Sequence, residues 1–309
     1  MSAAGSARSG GGLLVVGDVV TDVVARHRTP LTPGTDTAAD IRTLPGGAGA
    51  NAACWAAYTG CPDVRLLARV GADSAAWHER ALTDAGVRPH LVVDQQAPTG
   101  TVICLVDADA ERTFLTDSGA VLRLSPDDWS PTLLDGVGRL HLSGYLFFAE
   151  PSRSLARLAL SAARARGVPV SVDPASAGFL ADTGVALFLA AATGADVLLP
   201  NHDEATTLTG LPDAADAAAK LSGQFPLVVA KQGAAGALLS RAGAPPRHIP
   251  PAPAHAQDTT GAGDAFTGAF LAALLAGATD TAAAAAGCRA GAEAVTRVGA
   301  RPPRTPPTG

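Results

Sequence analysis

The second half of the chain alternates short β-branched runs with alanine-rich runs, and this alternation restricts the fold more than any other feature. The strand-like runs cover 140–142, 168–172, 197–199, 227–230 and 237–240, and the helix-like runs cover 152–166, 186–193, 202–209, 214–222, 264–276 and 280–296. Such an alternation is typical of a parallel sheet that helices cover on both faces. We therefore predict an α/β fold with a mainly parallel central sheet.

The first half adds segments that do not fit the alternation. A buried strand at 13–16, a helix within 46–60, a strand at 64–70 and a helix at 75–84 do follow it. Segments 24–45 and 98–118 contain short β-like runs instead, and the runs 101–106 and 112–115 can pair across a turn. These segments predict a small β insertion at one edge of the main sheet.

Composition excludes several classes of protein. The 309 residues are 47% hydrophobic and 17% charged, with a net charge of −5, which excludes a disordered chain and weighs against nucleic-acid binding. The apolar runs 13–16 and 265–276 are too short to span a membrane. The four cysteines lack zinc-binding spacing, so we expect reduced thiols in a cytoplasmic enzyme.

The segment 258–268 (DTTGAGDAFTG) carries the strongest chemical signal. Gly261, Ala262 and Gly263 lead directly into an apolar helix, so their backbone N–H groups can approach a ligand closely. The helix N-terminus favours an anion such as a phosphoryl group. At the start of that helix, Asp264 is either a helix cap or a base that accepts a proton from an attacking hydroxyl.

A second run of small residues, 45–53 (PGGAGANAA), also precedes an alanine-rich helix. Gly46 and Gly47 predict either a tight strand-to-helix turn or a close backbone approach to a polar small molecule. Asn51 offers both a donor and an acceptor to such a molecule. The chain has neither a Walker A motif nor a G-x-G-x-x-G motif after a strand, which excludes those two modes of nucleotide binding.

Together, the two segments resemble the two signatures of the ribokinase-like (PfkB) carbohydrate kinase family. The resemblance extends over 13–303, and the segments 17–22, 69–73, 173–174, 200–204, 229–237 and 295–302 agree with it. It implies a single three-layer α/β/α kinase domain over 13–303. It also implies a discontinuous β lid at 24–45 and 98–118 that covers the substrate and forms a homodimer contact. The segments 1–12 and 304–309 are expected to be flexible tails.

The resemblance also implies a role for individual residues. Asp264 is expected to be the catalytic base, with the amides of Gly261, Ala262 and Gly263 as the anion hole. The residues implied for the substrate are Asp22, Gly46, Gly47, Asn51, Arg112 and Tyr145. Those implied for ATP are Asn201, Lys231, Gly233 and Gly263. Glu204 is implied for Mg²⁺ through water, and Asp258 and Thr260, with carbonyls at Ala294, Arg297 and Gly299, for K⁺.

The sequence leaves the acceptor open. Ribokinases carry Lys and Asn where this chain has Ala48 and Val20, so a relative of ribokinase is favoured over ribokinase itself. The candidates are a sugar, a sugar acid such as 2-keto-3-deoxygluconate, or a nucleoside of the adenosine or pseudouridine type. A non-catalytic sugar-binding regulator is a third alternative, against which the intact Gly-Ala-Gly-Asp run argues. Arg112 has an alternative interpretation as an exposed strand residue near Asp109 and Glu111.

Overall fold

The computed structural model describes residues 11–109 and 111–303. The strands within these residues are β1 (Gly12–Val16), β2 (Val20–His27), β3 (Ala39–Gly46), β4 (Val64–Gly71), β5 (Val87–Asp94), β6 (Gly100–Val106), β7 (Arg112–Asp117), β8 (Val137–Ser143), β9 (Val170–Asp173), β10 (Val197–Leu198), β11 (Leu227–Lys231), β12 (Ala237–Ser240) and β13 (Arg247–Ile249). The helices are α1 (Ala48–Tyr58), α2 (Ala75–Asp84), α3 (Ser152–Ala165), α4 (Ala177–Thr183), α5 (Val185–Ala192), α6 (His202–Thr209), α7 (Ala214–Ser222), α8 (Ala262–Leu275) and α9 (Asp280–Ala294).

The described strands form two sheets. The main sheet has nine strands in the order β13-β12-β11-β10-β9-β8-β1-β4-β5. Neighbouring strands are parallel except in the pairs β11–β12 and β12–β13, which are antiparallel. The second sheet has four strands in the order β3-β2-β6-β7 and is called the lid below. These two sheets confirm the predicted α/β fold with a β insertion, and lid strand β2 begins earlier than expected, at Val20.

Both faces of the main sheet are buried, as the continuous apolar strands require. Along β1, Leu13 and Val15 pack into one apolar core, while Leu14 and Val16 pack into the core on the opposite face. Alternate side chains of a strand point to opposite faces, so a strand without polar residues needs helices on both sides. Helices α1, α8 and α9 cover one face, and α3, α5, α6 and α7 cover the other.

Sequence reasoning missed two edge strands. Strand β5 contains Arg88, Pro89 and His90, and β13 (RHI) is short and exposed, so neither shows the apolar run of a buried strand. Each lies at an edge of the main sheet, where one side of the strand has no neighbouring strand to hydrogen-bond. Polar residues and proline are therefore tolerated there. Helix α4 was missed as well, because its seven residues are too few to show a helical period.

The first strand begins one residue earlier than expected. Strand β1 starts at Gly12, whereas the sequence indicated a strand at 13–16. Of the expected tails, residues 1–10 and 304–309 lie outside the described residues. None of the helices in the described ranges is both long and apolar enough to cross a membrane.

Candidate active site

A cavity of about 1310 Å³ lies between the lid and the carboxyl ends of the main-sheet strands. Ligands of open α/β sheets bind at this end of the strands. Most of the residues singled out in the sequence line it, namely Asp22, Gly47, Asn51, Arg112, Tyr145, Asn201, Glu204, Lys231, Gly233, Asp258, Thr260, Gly261, Ala262, Gly263, Asp264 and Gly299. Gly46, Ala294 and Arg297 are not among the described lining residues.

Helix α8 begins at the floor of the cavity and presents its N-terminus to it. Gly261 precedes the helix with φ 74°, a left-handed conformation, and a Cβ there would collide with Ala300. The first N–H groups of a helix have no acceptor within the helix. The N–H of Ala262 bonds the carbonyl of Thr259 at 3.3 Å, and the N–H of Ala265 bonds the carbonyl of Gly261 at 2.8 Å. Of the three amides predicted for the anion hole, those of Gly261 and Gly263 therefore have no acceptor among the described residues, whereas that of Ala262 has one.

Asp264 lies in the first turn of α8, where it is half-buried and lines the cavity. Burial raises its pKa to about 7, while a hydrogen bond from Asn51 lowers it and the negative charge of Asp173 raises it further. Asn51 Nδ2 donates to Asp264 Oδ2 at 2.9 Å. A carboxylate with a pKa near neutrality is suited to accept a proton at physiological pH.

Asn51 reaches Asp264 because α1 and α8 approach each other very closely. At Gly268 a Cβ would collide with the carbonyl of Ala52, so only glycine fits at this crossing. Asn51 is buried, and no described residue donates to its Oδ1. The side chain of Asn51 therefore holds Asp264 through its Nδ2 group, while its Oδ1 atom is buried without a donor among the described residues.

Lys231 brings a positive charge to the helix start. Its Nζ lies 2.5 Å from Asp173 Oδ2 and 3.5 Å from the place a Cβ on Gly263 would take. Thr267 of α8 donates to the same Asp173 oxygen at 2.9 Å. Sequence reasoning did not assign Asp173 or Thr267 to the site. The signal available for Asp173 was its position directly after a buried strand, while Thr267 had none.

Asn201 and Glu204 form a reciprocal cap at the start of α6. Asn201 Oδ1 accepts the N–H of Glu204 at 2.8 Å, and the Glu204 carboxylate accepts the N–H of Asn201 at 2.8 Å and its Nδ2 at 2.7 Å. The two residues therefore cap α6, and Glu204 also lines the cavity. Burial and then the charge of Asp173 raise the pKa of Glu204 to about 7.

The residues that the structure describes contain no cluster of three or more His, Cys, Asp or Glu that could hold a metal ion by itself, so a divalent cation near Lys231 would depend on phosphate and water as well. Asp173, Glu204 and Asp264 all act electrostatically on the ammonium of Lys231, so carboxylates outnumber the ammonium here. Mg²⁺ in nucleotide sites is held by one or two carboxylates together with phosphates and water. Glu204 retains lone pairs beyond its two bonds to Asn201, through which it can hold a hydrated ion.

Two aspartates follow β1 and act differently. Asp18 accepts the N–H groups of Ala48 at 2.6 Å and Gly49 at 3.0 Å, and the hydroxyl of Ser143 at 2.7 Å, so it holds the start of α1. Asp22 lines the cavity, and burial, followed by the charge of Asp18, raises its pKa to about 7. Both aspartates line the cavity, but the carboxylate of Asp18 is also used to hold the start of α1.

Arg112 and Tyr145 occupy opposite parts of the cavity. Arg112 is not an exposed residue beside Asp109 and Glu111, because its guanidinium pairs with Asp258 at 2.9 Å. The ring of Tyr145 packs edge-on against Phe148 and Phe179, both with centroids 5.8 Å away. Burial raises the pKa of the Tyr145 hydroxyl group well above its usual range.

Asp258 does not fit the monovalent-cation site that the resemblance implies. Its Oδ1 accepts the N–H of Thr260 at 2.9 Å and pairs with Arg112, and its Oδ2 accepts the N–H of Gly299 at 3.1 Å. The Thr260 hydroxyl bonds the same carboxylate. A carboxylate has about four acceptor positions, and here protein donors use them.

Comparison with known proteins identifies the family to which this chain belongs. The model of the pfkB family of carbohydrate kinases matches residues 12–307. The chain belongs to this family. A fructokinase of Klebsiella pneumoniae is 34% identical over 278 residues, which cover 86% of this chain and 85% of the relative. Family membership indicates an ATP-dependent kinase of the carbohydrate kinase family.

Solved structures agree with the fold. The Arabidopsis thaliana ribokinase complexed with ribose and ATP has a TM-score of 0.79 and 27% identity, and the match covers 94% of both chains. An adenosine kinase from Sinorhizobium meliloti has a TM-score of 0.85, with 94% of this chain and 96% of that one covered; at 20% identity it shows the fold alone. The ribokinase-like architecture expected from the two sequence signatures is confirmed.

Proposed function

We propose that this protein transfers the γ-phosphoryl group of ATP to a hydroxymethyl group of a small sugar or sugar acid. The observation that carries the proposal is the placement of Asp264. Its carboxylate, with a pKa of about 7, lies in the first turn of α8 and is bonded to Asn51 inside the cavity. A base beside amides that bind an anion is the arrangement that phosphoryl transfer to an alcohol requires.

The chemistry follows from these positions. The acceptor hydroxyl gives its proton to the carboxylate of Asp264, and its oxygen forms a bond to the γ-phosphorus as the bond to the ADP oxygen breaks. The amides at the start of α8 and the ammonium of Lys231 stabilise the negative charge on the transferred group. Bound Mg²⁺, with Glu204 as its protein partner through water, would neutralise phosphate charge. Gly233, at the end of β11, and Asn201 contribute to the nucleotide side of the cavity.

The acceptor side favours a sugar. Asp22 and Asn51 both line the cavity, and a carboxyl group and an amide group suit the hydroxyl groups of a sugar. A relative with 34% identity is named a fructokinase. Arg112 and Tyr145 complete the predicted substrate residues, Gly46 stands directly against Asp22, and Gly47 lines the cavity.

A nucleoside acceptor is the second candidate, and the walls of the cavity favour it. Val24, Val102 and Phe114 of the lid line one side, and the rings of Tyr145 and Phe179 line another. Apolar and aromatic surfaces of this kind suit a planar base, whereas a free sugar gains little from them.

The outer face of the lid supports a homodimer. Ile41, Ile103 and Leu115 are 63%, 37% and 54% exposed, and their neighbours in the sheet place all three on the face turned away from the cavity. An exposed apolar sheet face is a site of association. We also propose a cytoplasmic location, because the four cysteines, all in described segments, are free thiols.

The decisive experiment is ADP release from MgATP across a panel of sugars, sugar acids and nucleosides. One compound should raise the rate far above the rate without acceptor, and Asp264→Asn should lower kcat by a factor on the order of 10² or more. The variant should still bind the acceptor, because Asn keeps the size and a hydrogen bond. A rate equal to that of the wild type in Asp264→Asn would overturn the assignment of the base.

A further inference from the structure

Arg112, the first residue of lid strand β7, is bound to the loop that precedes the anion-binding helix. Its Nη2 lies 2.9 Å from Asp258 Oδ1, and its Nη1 donates to Thr259 Oγ1 at 2.6 Å. The side chains of Arg112 and Asp258 are 16% and 6% exposed, so the pair is largely shielded from water and salt. The lid is therefore tied to the residues directly before Gly261.

The positive charge that compensates the Asp258 carboxylate comes from the guanidinium of Arg112. Burial would raise the pKa of Asp258, but hydrogen bonds from Thr260 and Gly299 and the charge of Arg112 hold it below its ordinary value. Of these partners, the guanidinium carries a full positive charge at any physiological pH. A carboxylate with its acceptor positions used and its charge neutralised has little to offer a further cation.

We propose that the Arg112 guanidinium is the cation of the 258–261 loop, so that this enzyme works without a monovalent metal ion. Arg112 belongs to the lid, whereas a free ion would not, so the positive charge reaches the loop only when the lid is in the position seen here. The activity arm of this proposal rests on the proposed kinase function. The stability arm below does not.

The test compares salts of equal ionic strength, one with K⁺ and one with tetramethylammonium. Wild-type protein should show the same melting temperature in both, and kinase rates within about twofold, the size of unspecific salt effects. Arg112→Met removes the charge and keeps the stem, so the variant should melt lower in tetramethylammonium than in K⁺. Its rate should be lower by about tenfold or more without K⁺ and recover with it.

Two further variants sharpen the comparison. Arg42→Met is the matched control, since Arg42 is a lid arginine whose side chain is 62% exposed and pairs only at the surface with Asp40. It should behave like wild type in both salts. Arg112→Gln removes the charge but keeps an N–H donor for Thr259, so it should show the same response to K⁺ as Arg112→Met. If Arg112→Met folds poorly, the proposal can therefore be tested with Arg112→Gln alone.

Two results would overturn the proposal. One is a wild-type protein that needs K⁺ for stability or activity. The other is a set of Arg112 variants whose response to K⁺ equals that of wild type. If no acceptor on the panel is phosphorylated, the kinase proposal fails by itself, and the melting temperatures still decide the role of Arg112.

Discussion

Asp264 is surrounded by groups that act in opposite directions on its proton affinity. Burial and the charge of Asp173 favour the protonated carboxyl, while the hydrogen bond from Asn51 and the charge of Lys231 favour the carboxylate. The balance leaves the pKa at about 7, where a carboxylate is both populated and basic enough to accept a proton. This balance suits the role of base that we propose for Asp264.

This balance predicts the pH dependence of kcat/KM. The rate should fall as the pH drops through about 7, approaching tenfold per pH unit, because the protonated carboxyl cannot accept a proton. Asn51→Ala removes a bond that stabilises the carboxylate, so the midpoint should move to higher pH. The measurement is a series of kcat/KM values from about pH 5 to about pH 9.

Asp22→Asn is the control for this series. Asp22 also has a pKa of about 7, but it is not among the leading influences on Asp264, so its removal should leave the midpoint in place even if KM rises. A midpoint that vanishes in Asp22→Asn would assign the titration to Asp22. A midpoint that moves to lower pH in Asn51→Ala would contradict the role given to the Asn51 bond.

At the scale of elements, the crossing of α1 and α8 joins the two glycine-rich motifs. Asn51 and Asp264 come from these two helices, and they meet because Gly268 allows the backbones into contact. The other long-range ties of the site also join strand ends to helices: Asp18 holds α1, and Asp173 joins β9 to β11 and α8. The relative positions of these side chains therefore depend on the packing between helices and strands rather than on the conformation of one loop.

Gly268→Ala tests this dependence. The added methyl group collides with the carbonyl of Ala52 and should force the helices apart, lowering the free energy of unfolding by about 1–3 kcal/mol. Urea denaturation measures the change. Gly178→Ala is the control, because a Cβ there meets its nearest atom at 3.9 Å in α4, and alanine favours a helix. Equal stability of Gly268→Ala and wild type would show that the crossing tolerates a larger residue.

At the scale of the whole molecule, the lid has two faces with different tasks. The inner face closes the cavity with Val24, Val102 and Phe114, whereas the outer face leaves Ile41, Ile103 and Leu115 to solvent. A four-stranded sheet that is apolar on both faces needs a cover on each side. The cavity and the proposed dimer thus use the same sheet.

The proposed dimer predicts the effect of a charge on the outer face. Wild-type protein should sediment with the mass of two chains, and Ile103→Glu should sediment with the mass of one, because a carboxylate at the centre of an apolar contact has no partner. Leu187→Glu is the matched control on α5, at 43% exposure and away from the lid, and it should leave the dimer intact. A monomeric wild type, or a dimeric Ile103→Glu, would contradict the proposal.

Much of the site was predictable because its central parts are contiguous in the chain. Gly261, Gly263 and Asp264 are neighbours in sequence, so a helix start with its amides and its acid could be expected before any packing was known. The alternation of buried strands and helices likewise determined the layers and placed the strand ends at one edge of the sheet. These properties depend on local conformation and burial, which short sequence patterns specify.

Only the tertiary structure decided which distant charges meet. The pairs Asp173–Lys231 and Arg112–Asp258 join residues far apart in the chain, and no local pattern selects one aspartate over another as a partner. It also decided that Asp18 and not Asp22 holds the start of α1, although both follow the same strand and both line the cavity. The physical reason is that a carboxylate responds to whichever donors folding brings within about 3 Å, and this depends on the packing of the whole chain.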